Sequence, residues 1–132
     1  MIEAMPSFDT VVVLDFGSQY TQVIARRIRE ARVRSIVLPY SATAAEIEAL
    51  APKGIVLSGG PSSVYDDKAP RGDEKVFDLG IPVLGLCYGM QLMALHFGGG
   101  VGHAPGREYG RAVVDVVGGR LLGALGPRET VW

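Results

Sequence analysis

The chain has 132 residues, 48% of them hydrophobic, and a formal net charge of −1. This length allows one domain with a real core, and the mixed charges form no basic surface for nucleic acid. No apolar run is long enough to cross a membrane, the start has no secretory signal and a single cysteine excludes an internal disulfide, so we expect a cytoplasmic protein.

Short β-branched runs alternate with amphipathic segments along most of the chain. The runs are typical of parallel strands buried on both faces, and the segments have apolar residues at helical spacing. Strands are predicted at residues 10–16, 34–40, 54–58 and 82–87. Helices are predicted at residues 20–32, 44–50, 73–79 and 89–97, and a polar surface loop at 62–71. The pattern predicts an α/β fold, a mostly parallel sheet with helices on both faces.

The pattern changes after the three glycines at residues 98–100. Residues 111–117 predict an exposed or antiparallel strand, and residues 129–132 predict the start of another. We assign residues 10–132 to one domain and residues 1–9 to an N-terminal tail.

Cys87 lies where the fourth predicted strand gives way to a helix. Gly85 and Gly89 flank it, each two residues away, which is the pattern of a nucleophile elbow with sulfur in place of a hydroxyl. Small residues are needed there because strand and helix approach closely around a sharp turn. A buried cysteine in an apolar strand is the common alternative, and the two glycines argue against it.

Three loops are predicted to meet beside the cysteine. Residues 15–18, 58–60 and 87–88 each follow the end of a predicted strand, and parallel strands bring such ends to one edge of the sheet, where ligands bind. The backbone amides at 59–60 and 88 suit a developing oxyanion, although a plain tight turn is an equal reading of 59–60.

Two polar side chains near these loops have both a binding and a structural interpretation. Ser18 could contact a ligand or only order the start of a helix. Gln91 lies one helical turn after Cys87, where its amide could bind an amide substrate or simply sit at the rim.

A cysteine nucleophile usually needs a histidine base. His96 lies about 13 Å along the helix from Cys87 at 1.5 Å per residue, too far to reach the thiol, and is interpreted as a packing residue at the helix end. His103 follows a glycine-rich turn and is interpreted as structural. No metal-ligand spacing is present, so the residues offer a nucleophile without a convincing base.

The chain resembles the class I glutamine amidotransferase family in three segments. They are residues 14–22 (LDFGSQYTQ), 54–62 (GIVLSGGPS) and 82–91 (PVLGLCYGMQ). C-x-G-x-Q marks the family, and D-F-G-S-Q-Y together with C-Y-G-M-Q is typical of its members that supply ammonia for converting XMP to GMP in purine biosynthesis. The resemblance covers residues 10–132 and implies a flavodoxin-like three-layer sandwich.

The resemblance also implies a reaction and a site. Cys87 would attack the side-chain amide of glutamine, giving a glutamyl thioester and ammonia, with no cofactor and no metal. The amides of Gly60 and Tyr88 would form the oxyanion hole. The residues implied to bind glutamine are Ser18, Gly59 and Gln91.

The implied partner is a synthetase (ATP-pyrophosphatase) domain, on the same chain or a separate subunit. That domain would use ATP and Mg²⁺ to aminate XMP, and the full enzyme would be a homodimer; neither nucleic acid nor a membrane is implied. The family's catalytic histidine and glutamate lie on a later strand that commonly begins V-W-M-S-H-G, whereas this sequence ends at Val131-Trp132. We therefore expect an incomplete domain that is nearly inactive alone and tends to associate.

Two alternatives stay open at this point. The chain could serve another synthase, one that makes carbamoyl phosphate, anthranilate or CTP. It could also be a non-catalytic regulatory module of the same fold, in which case Cys87 would react with a glutamine-like electrophile no faster than a free thiol does.

Overall fold

The computed structural model describes residues 7–102 and 110–132. The chain divides into two compact units, one ending at Val101 and the other beginning at Gly102. None of the helices in the described ranges is both long and apolar enough to span a lipid bilayer.

The first unit alternates strands with helices, as the sequence pattern predicts. Its strands are β1 (Thr10–Asp15), β2 (Arg34–Pro39), β3 (Gly54–Leu57) and β4 (Val83–Gly85). Its α-helices are α1 (Thr21–Glu30), α2 (Ala44–Ala49) and α3 (Tyr88–His96). The helix predicted at 73–79 is present as a short 3₁₀ helix, η1, at Glu74–Asp78.

The four strands form one parallel sheet in the order β2-β1-β3-β4. Val12 of β1 lies opposite Ile36 on one side and Ile55 on the other. The β-branched run of β1 is therefore explained by its central place in the sheet. A strand pairs with it on each side, and both of its faces are buried.

Alternate residues of the central strands pack on opposite faces of the sheet. One face carries the larger cluster, which joins the sheet to α2, η1 and α3 and includes Val12, Leu14, Ile55, Leu57, Ile47, Val76 and Leu92. The other face carries Val13 and Val56 with Ala25, Ile24 and Ile28 of α1. Helices on both faces confirm the predicted three-layer α/β architecture.

The predicted surface loop at 62–71 contains no helix or strand, but it is anchored rather than loose. Val64 is 1% exposed and joins the larger core cluster. Its carbonyl oxygen accepts a hydrogen bond of 2.5 Å from Arg71 Nη2. The loop therefore contributes to the core although its sequence is mostly polar.

Asp73, at the end of this loop, links the N-termini of two helices. Its Oδ2 accepts the N–H of Ala44 at 2.8 Å, and its Oδ1 accepts the N–H of Lys75 at 3.0 Å. The hydrogen bond from Ala44, followed by that from Lys75, holds the pKa of Asp73 below its ordinary value of 3.8. The ionised carboxylate thus stabilises the folded state.

We expect the Asp73→Asn variant to be less stable than the wild type near neutral pH, with a difference that shrinks as the pH falls below 3.8. A folded-state pKa below the unfolded one gives stability that is present above the unfolded pKa and is lost as the pH falls through the folded pKa. Urea unfolding midpoints of both proteins, measured from about pH 6 down to about pH 2.5, would test this. A difference that does not change with pH would contradict it.

The second unit is a two-stranded antiparallel hairpin of β5 (Ala112–Asp115) and β6 (Arg128–Val131). Asp115 Oδ1 and Arg128 Nε form an exposed ion pair at 2.8 Å. The prediction of an exposed or antiparallel strand within 111–117 is confirmed, and the last strand begins one residue before the predicted start.

Candidate active site

Cys87 occupies a strained turn between β4 and α3. It is the N-cap residue of α3, with φ 52° and ψ −115°, and its side chain is exposed. A non-glycine residue in this region of backbone space is held there by its surroundings at a strain of about 1–3 kcal/mol. The structure therefore has the sharp turn and the outward-facing thiol that the spacing of the glycines predicts.

The two flanking glycines are required by close packing. A Cβ atom added to Gly89 would lie 2.5 Å from the carbonyl oxygen of Leu57, so α3 begins directly against β3. A Cβ atom on Gly85 would lie 2.8 Å from the carbonyl oxygen of Gly89 and 2.7 Å from Met93 Sδ. No side chain fits at either position without displacing backbone, which confirms the reason given for these residue types.

An open pocket of about 350 Å³ lies beside the thiol. It is bounded by the loops that follow β1, β3 and β4, as predicted for the carboxyl edge of a parallel sheet. The residues that line it are Gly17, Ser18, Gln19, Tyr20, Gly59, Gly60, Pro61 and Cys87. Its volume is in the range usual for small-molecule sites.

Four of the six residues proposed from the sequence line this pocket, namely Cys87, Ser18, Gly59 and Gly60. Tyr88 and Gln91 are not among the described residues that line it. The Gln91 side chain has its Oε1 buried without a hydrogen-bond partner among the described residues. The role assigned to Gln91 stays a prediction.

The Tyr88 side chain turns away from the pocket and into the core. Its ring packs against Phe16, with centroids 5.6 Å apart, and its hydroxyl donates to the carbonyl oxygen of Pro70 at 2.5 Å. Burial raises the pKa of this hydroxyl above its ordinary value of 10, so it stays protonated as a donor. Only the backbone N–H of Tyr88, in the first turn of α3, is left to serve as an oxyanion donor, since such N–H groups have no partner within the helix.

Gly59 and Gly60 place bare backbone against the nucleophile and the neighbouring loop. A Cβ atom on Gly59 would lie 2.9 Å from Cys87 Cβ and 3.4 Å from Cys87 Sγ. A Cβ atom on Gly60 would collide with the carbonyl oxygen of Phe16. The lack of side chains at Gly59 and Gly60 therefore leaves the space that the Cys87 side chain and the Phe16 backbone occupy, and the oxyanion role of this turn stays a prediction.

Ser18 has the structural role that was one of its two interpretations. Its Oγ accepts the N–H of Tyr20 at 2.9 Å, which orders the backbone just before α1. Since that bond uses an oxygen lone pair, the hydroxyl proton remains free to be donated to a ligand in the pocket.

Three polar residues beneath the pocket were given no individual role from the sequence, although residues 15 and 58 belong to the loops predicted to meet there. They are Asp15, Thr21 and Ser58, whose side chains are joined by hydrogen bonds. Thr21 and Ser58 are buried, with 2% and 0% exposure. All three lie within segments that carry the family resemblance, but Ser58 reaches Thr21 only through the pairing of β1 with β3.

Within the part of the chain that the structure describes, no histidine lies beside the thiol. His96 is the last residue of α3, and its ring stacks on Phe77 with centroids 4.4 Å apart, which confirms the interpretation of a packing residue. His103 lies outside the described residues. Among the described residues, the pocket therefore contains a nucleophile and no histidine.

Comparisons with known proteins agree on one family. The family model described as glutamine amidotransferase class-I matches residues 12–132. The chain is 56% identical over 125 residues to the GMP synthase (glutamine-hydrolyzing) of Bacillus mycoides, and 54% identical over 133 residues to that of Bacillus anthracis. These matches cover 94% and 100% of this chain but 24% and 26% of the relatives, so the chain spans about a quarter of their length.

A solved structure gives the same relationship at the level of the fold. It is the crystal structure of a protein from Thermoplasma acidophilum that is assigned as one of the subunits of a GMP synthase. It superposes with a TM-score of 0.80 at 31% sequence identity, over 97% of this chain and 65% of that chain.

Proposed function

Because the chain belongs to the class I glutamine amidotransferase family, we propose that it is the glutamine-hydrolysing part of a GMP synthase. In this role Cys87 releases ammonia from glutamine, and the ammonia is used to aminate XMP. The observation that carries the proposal is the exposed Cys87 in a strained turn, at the edge of a pocket lined by glycine backbone.

The chemistry follows from the position of the thiol. The Cys87 sulfur, as thiolate, adds to the carboxamide carbon of glutamine, and the negative charge moves to the amide oxygen. Backbone N–H groups of Tyr88 and Gly60 are the proposed donors to that oxygen. Collapse of the intermediate breaks the C–N bond, a proton is added to the nitrogen and ammonia leaves. Water then cleaves the thioester to give glutamate and the free thiol.

Ser18 and Gly59 are proposed to hold the substrate. The Ser18 hydroxyl already accepts the N–H of Tyr20, so it is oriented to donate towards an acceptor oxygen of glutamine. Gly59 supplies a wall without a side chain, which leaves room for the carboxamide next to Cys87. Gln91 would join them only after its side chain moves towards the pocket.

The proton of the thiol needs an acceptor, and His96 is occupied by stacking on Phe77. We assign the base to the family's catalytic histidine, and not to His96 or His103, with a carboxylate to orient it. The synthetase domain, with ATP, Mg²⁺ and XMP, is likewise assigned to a partner domain or subunit, in a homodimeric enzyme. We expect a synthetase partner that binds this chain to convert XMP to GMP. Transfer of the ammonia to another acceptor would place the chain in another branch of the family.

Selective labelling of Cys87 tests the glutamine site without requiring turnover. We expect a chloroketone analogue of L-glutamine to label the chain with saturable kinetics, and L-glutamine, but not D-glutamine, to protect it. Mass spectrometry of peptides should place the adduct on Cys87, and the Cys87→Ala variant sets the background. Labelling that rises linearly with concentration and is not slowed by L-glutamine would favour the non-catalytic module.

A further inference from the structure

We propose that Thr21 is a positioning residue that holds the two walls of the pocket at the separation glutamine needs. The inference rests on the proposed function of the site. Thr21 is the first residue of α1 and is not among the residues that line the pocket, so its effect on a ligand has to be indirect.

The first wall of the pocket consists of residues 17–20. The residues just before and just after it both form hydrogen bonds with the buried Ser58 Oγ. Phe16 precedes this wall, and its N–H donates to Ser58 Oγ at 3.2 Å. Thr21 follows it, and its Oγ1 lies 3.1 Å from the same Ser58 Oγ. The wall between them therefore cannot move as a unit unless at least one of these two hydrogen bonds breaks.

Asp15 forms two further hydrogen bonds that hold the same wall. Its Oδ1 accepts the N–H of Gly17 at 2.8 Å and the hydroxyl of Thr21 at 3.1 Å. A carboxylate oxygen only accepts, so the single proton of Thr21 is donated to Asp15, and the Thr21 oxygen accepts the proton of the Ser58 hydroxyl. The Thr21 hydroxyl therefore forms hydrogen bonds with both side chains.

The second wall is connected directly to Ser58. Gly59 follows Ser58 in the chain, and its Cα faces Cys87 so closely that an added Cβ would lie 2.9 Å from Cys87 Cβ. A continuous path therefore runs from Asp15 through Thr21 and Ser58 to Gly59 and the nucleophile. Because the path is buried at Thr21 and Ser58, water cannot readily replace a lost hydroxyl.

Two substitutions at Thr21 separate its hydroxyl from its shape. Thr21→Val keeps the branched side chain and removes the hydroxyl, whereas Thr21→Ser keeps the hydroxyl and removes the methyl group. Labelling with the chloroketone analogue of L-glutamine gives two constants, the concentration for half-saturation and the maximal rate. Iodoacetamide, which does not use the glutamine pocket, reports the reactivity of the thiol alone.

We expect Thr21→Val to raise the half-saturation concentration about fivefold, the effect of one lost hydrogen bond, while the maximal rate and the iodoacetamide rate stay within about twofold. Thr21→Ser should stay close to the wild type in all three. Ser58→Ala, which breaks the same path from its other side, should raise the half-saturation concentration at least as much.

The outcomes that would contradict the proposal can be told apart. A wild type that shows no saturation overturns the proposed function. If labelling of the wild type saturates but the half-saturation concentration is unchanged in Thr21→Val, only the present inference is overturned. An equal rise in Thr21→Val and Thr21→Ser, or loss of the folded circular dichroism spectrum in both Thr21→Val and Ser58→Ala, would show a purely structural role and would also overturn it.

Discussion

Replacing Gly89 with alanine is expected to lower the free energy of unfolding by about 2 kcal/mol or more. The added Cβ would lie 2.5 Å from the carbonyl oxygen of Leu57 and 2.6 Å from Leu57 Cβ. Forcing an atom against backbone in a packed core costs about 3 kcal/mol, at the upper end of overpacking effects, whereas alanine gains at most about 1 kcal/mol over glycine in a helix. The clash therefore outweighs the gain in helix propensity.

Urea unfolding followed by circular dichroism would measure this difference. Gly54→Ala is the matched control, because the same substitution in β3 would place a Cβ at ordinary contact distances, 3.7 Å from Val11 Cγ2 and 3.8 Å from the carbonyl oxygen of Pro82. We expect the control to stay within about 0.5 kcal/mol of the wild type. Equal unfolding midpoints for the two variants would show that α3 does not press on β3 as described.

Replacing Gly59 with alanine is expected to slow the labelling of Cys87 by the glutamine chloroketone at least about tenfold. The added methyl would lie 2.9 Å from Cys87 Cβ and 3.4 Å from its sulfur. Cys87 cannot move freely, because its backbone is held at φ 52° between β4 and α3. A tenfold change corresponds to about 1.4 kcal/mol, which is within the usual range for overpacking.

The rates of labelling for wild type, Gly59→Ala and Gly54→Ala would test this prediction. Labelling in urea provides an internal standard, since all three unfolded thiols should react alike. If Gly59→Ala reacts at the wild-type rate while folded, the close approach of Gly59 to the nucleophile has no bearing on its reactivity.

The elements of the sheet were predictable because their signals are local. The run Thr10–Asp15 is β-branched over most of its length, and it is buried on both faces as such a run indicates. The elbow was predictable for a related reason, since two glycines at fixed spacing around Cys87 have a single steric explanation. In both cases a few consecutive residues are enough to indicate the structure.

The helix type at residues 73–79 could not be read in the same way. The segment has a capping residue, Asp73, and a terminating glycine, Gly80 at φ 72°, so its ends were correctly indicated. Only five residues lie in the helix between them, and i,i+3 hydrogen bonds serve so short a segment as well as those of an α-helix. Sequence signals marked the limits of this element but not its hydrogen-bond pattern.

The interior of the site was less predictable because it depends on long-range pairing. Ser58 meets Phe16 and Thr21 only because β1 and β3 pair with Leu14 opposite Leu57. In the same way, nothing near Tyr88 indicates that its ring turns inward against Phe16 while only its amide stays near the thiol. Residue types at the rim were apparent from motifs, whereas the contacts beneath them required the fold.

The place of β1 in the sheet also affects how the protein is made. β1 is synthesised before both of its neighbours, yet it lies between β2 and β3, and Val11 pairs with Gly54 some 40 residues later. At about 5–20 residues per second, a ribosome needs about 2–9 seconds to add that stretch. During this time β1 lacks its second neighbour, so the sheet around β1 closes only after the chain has been made past β3.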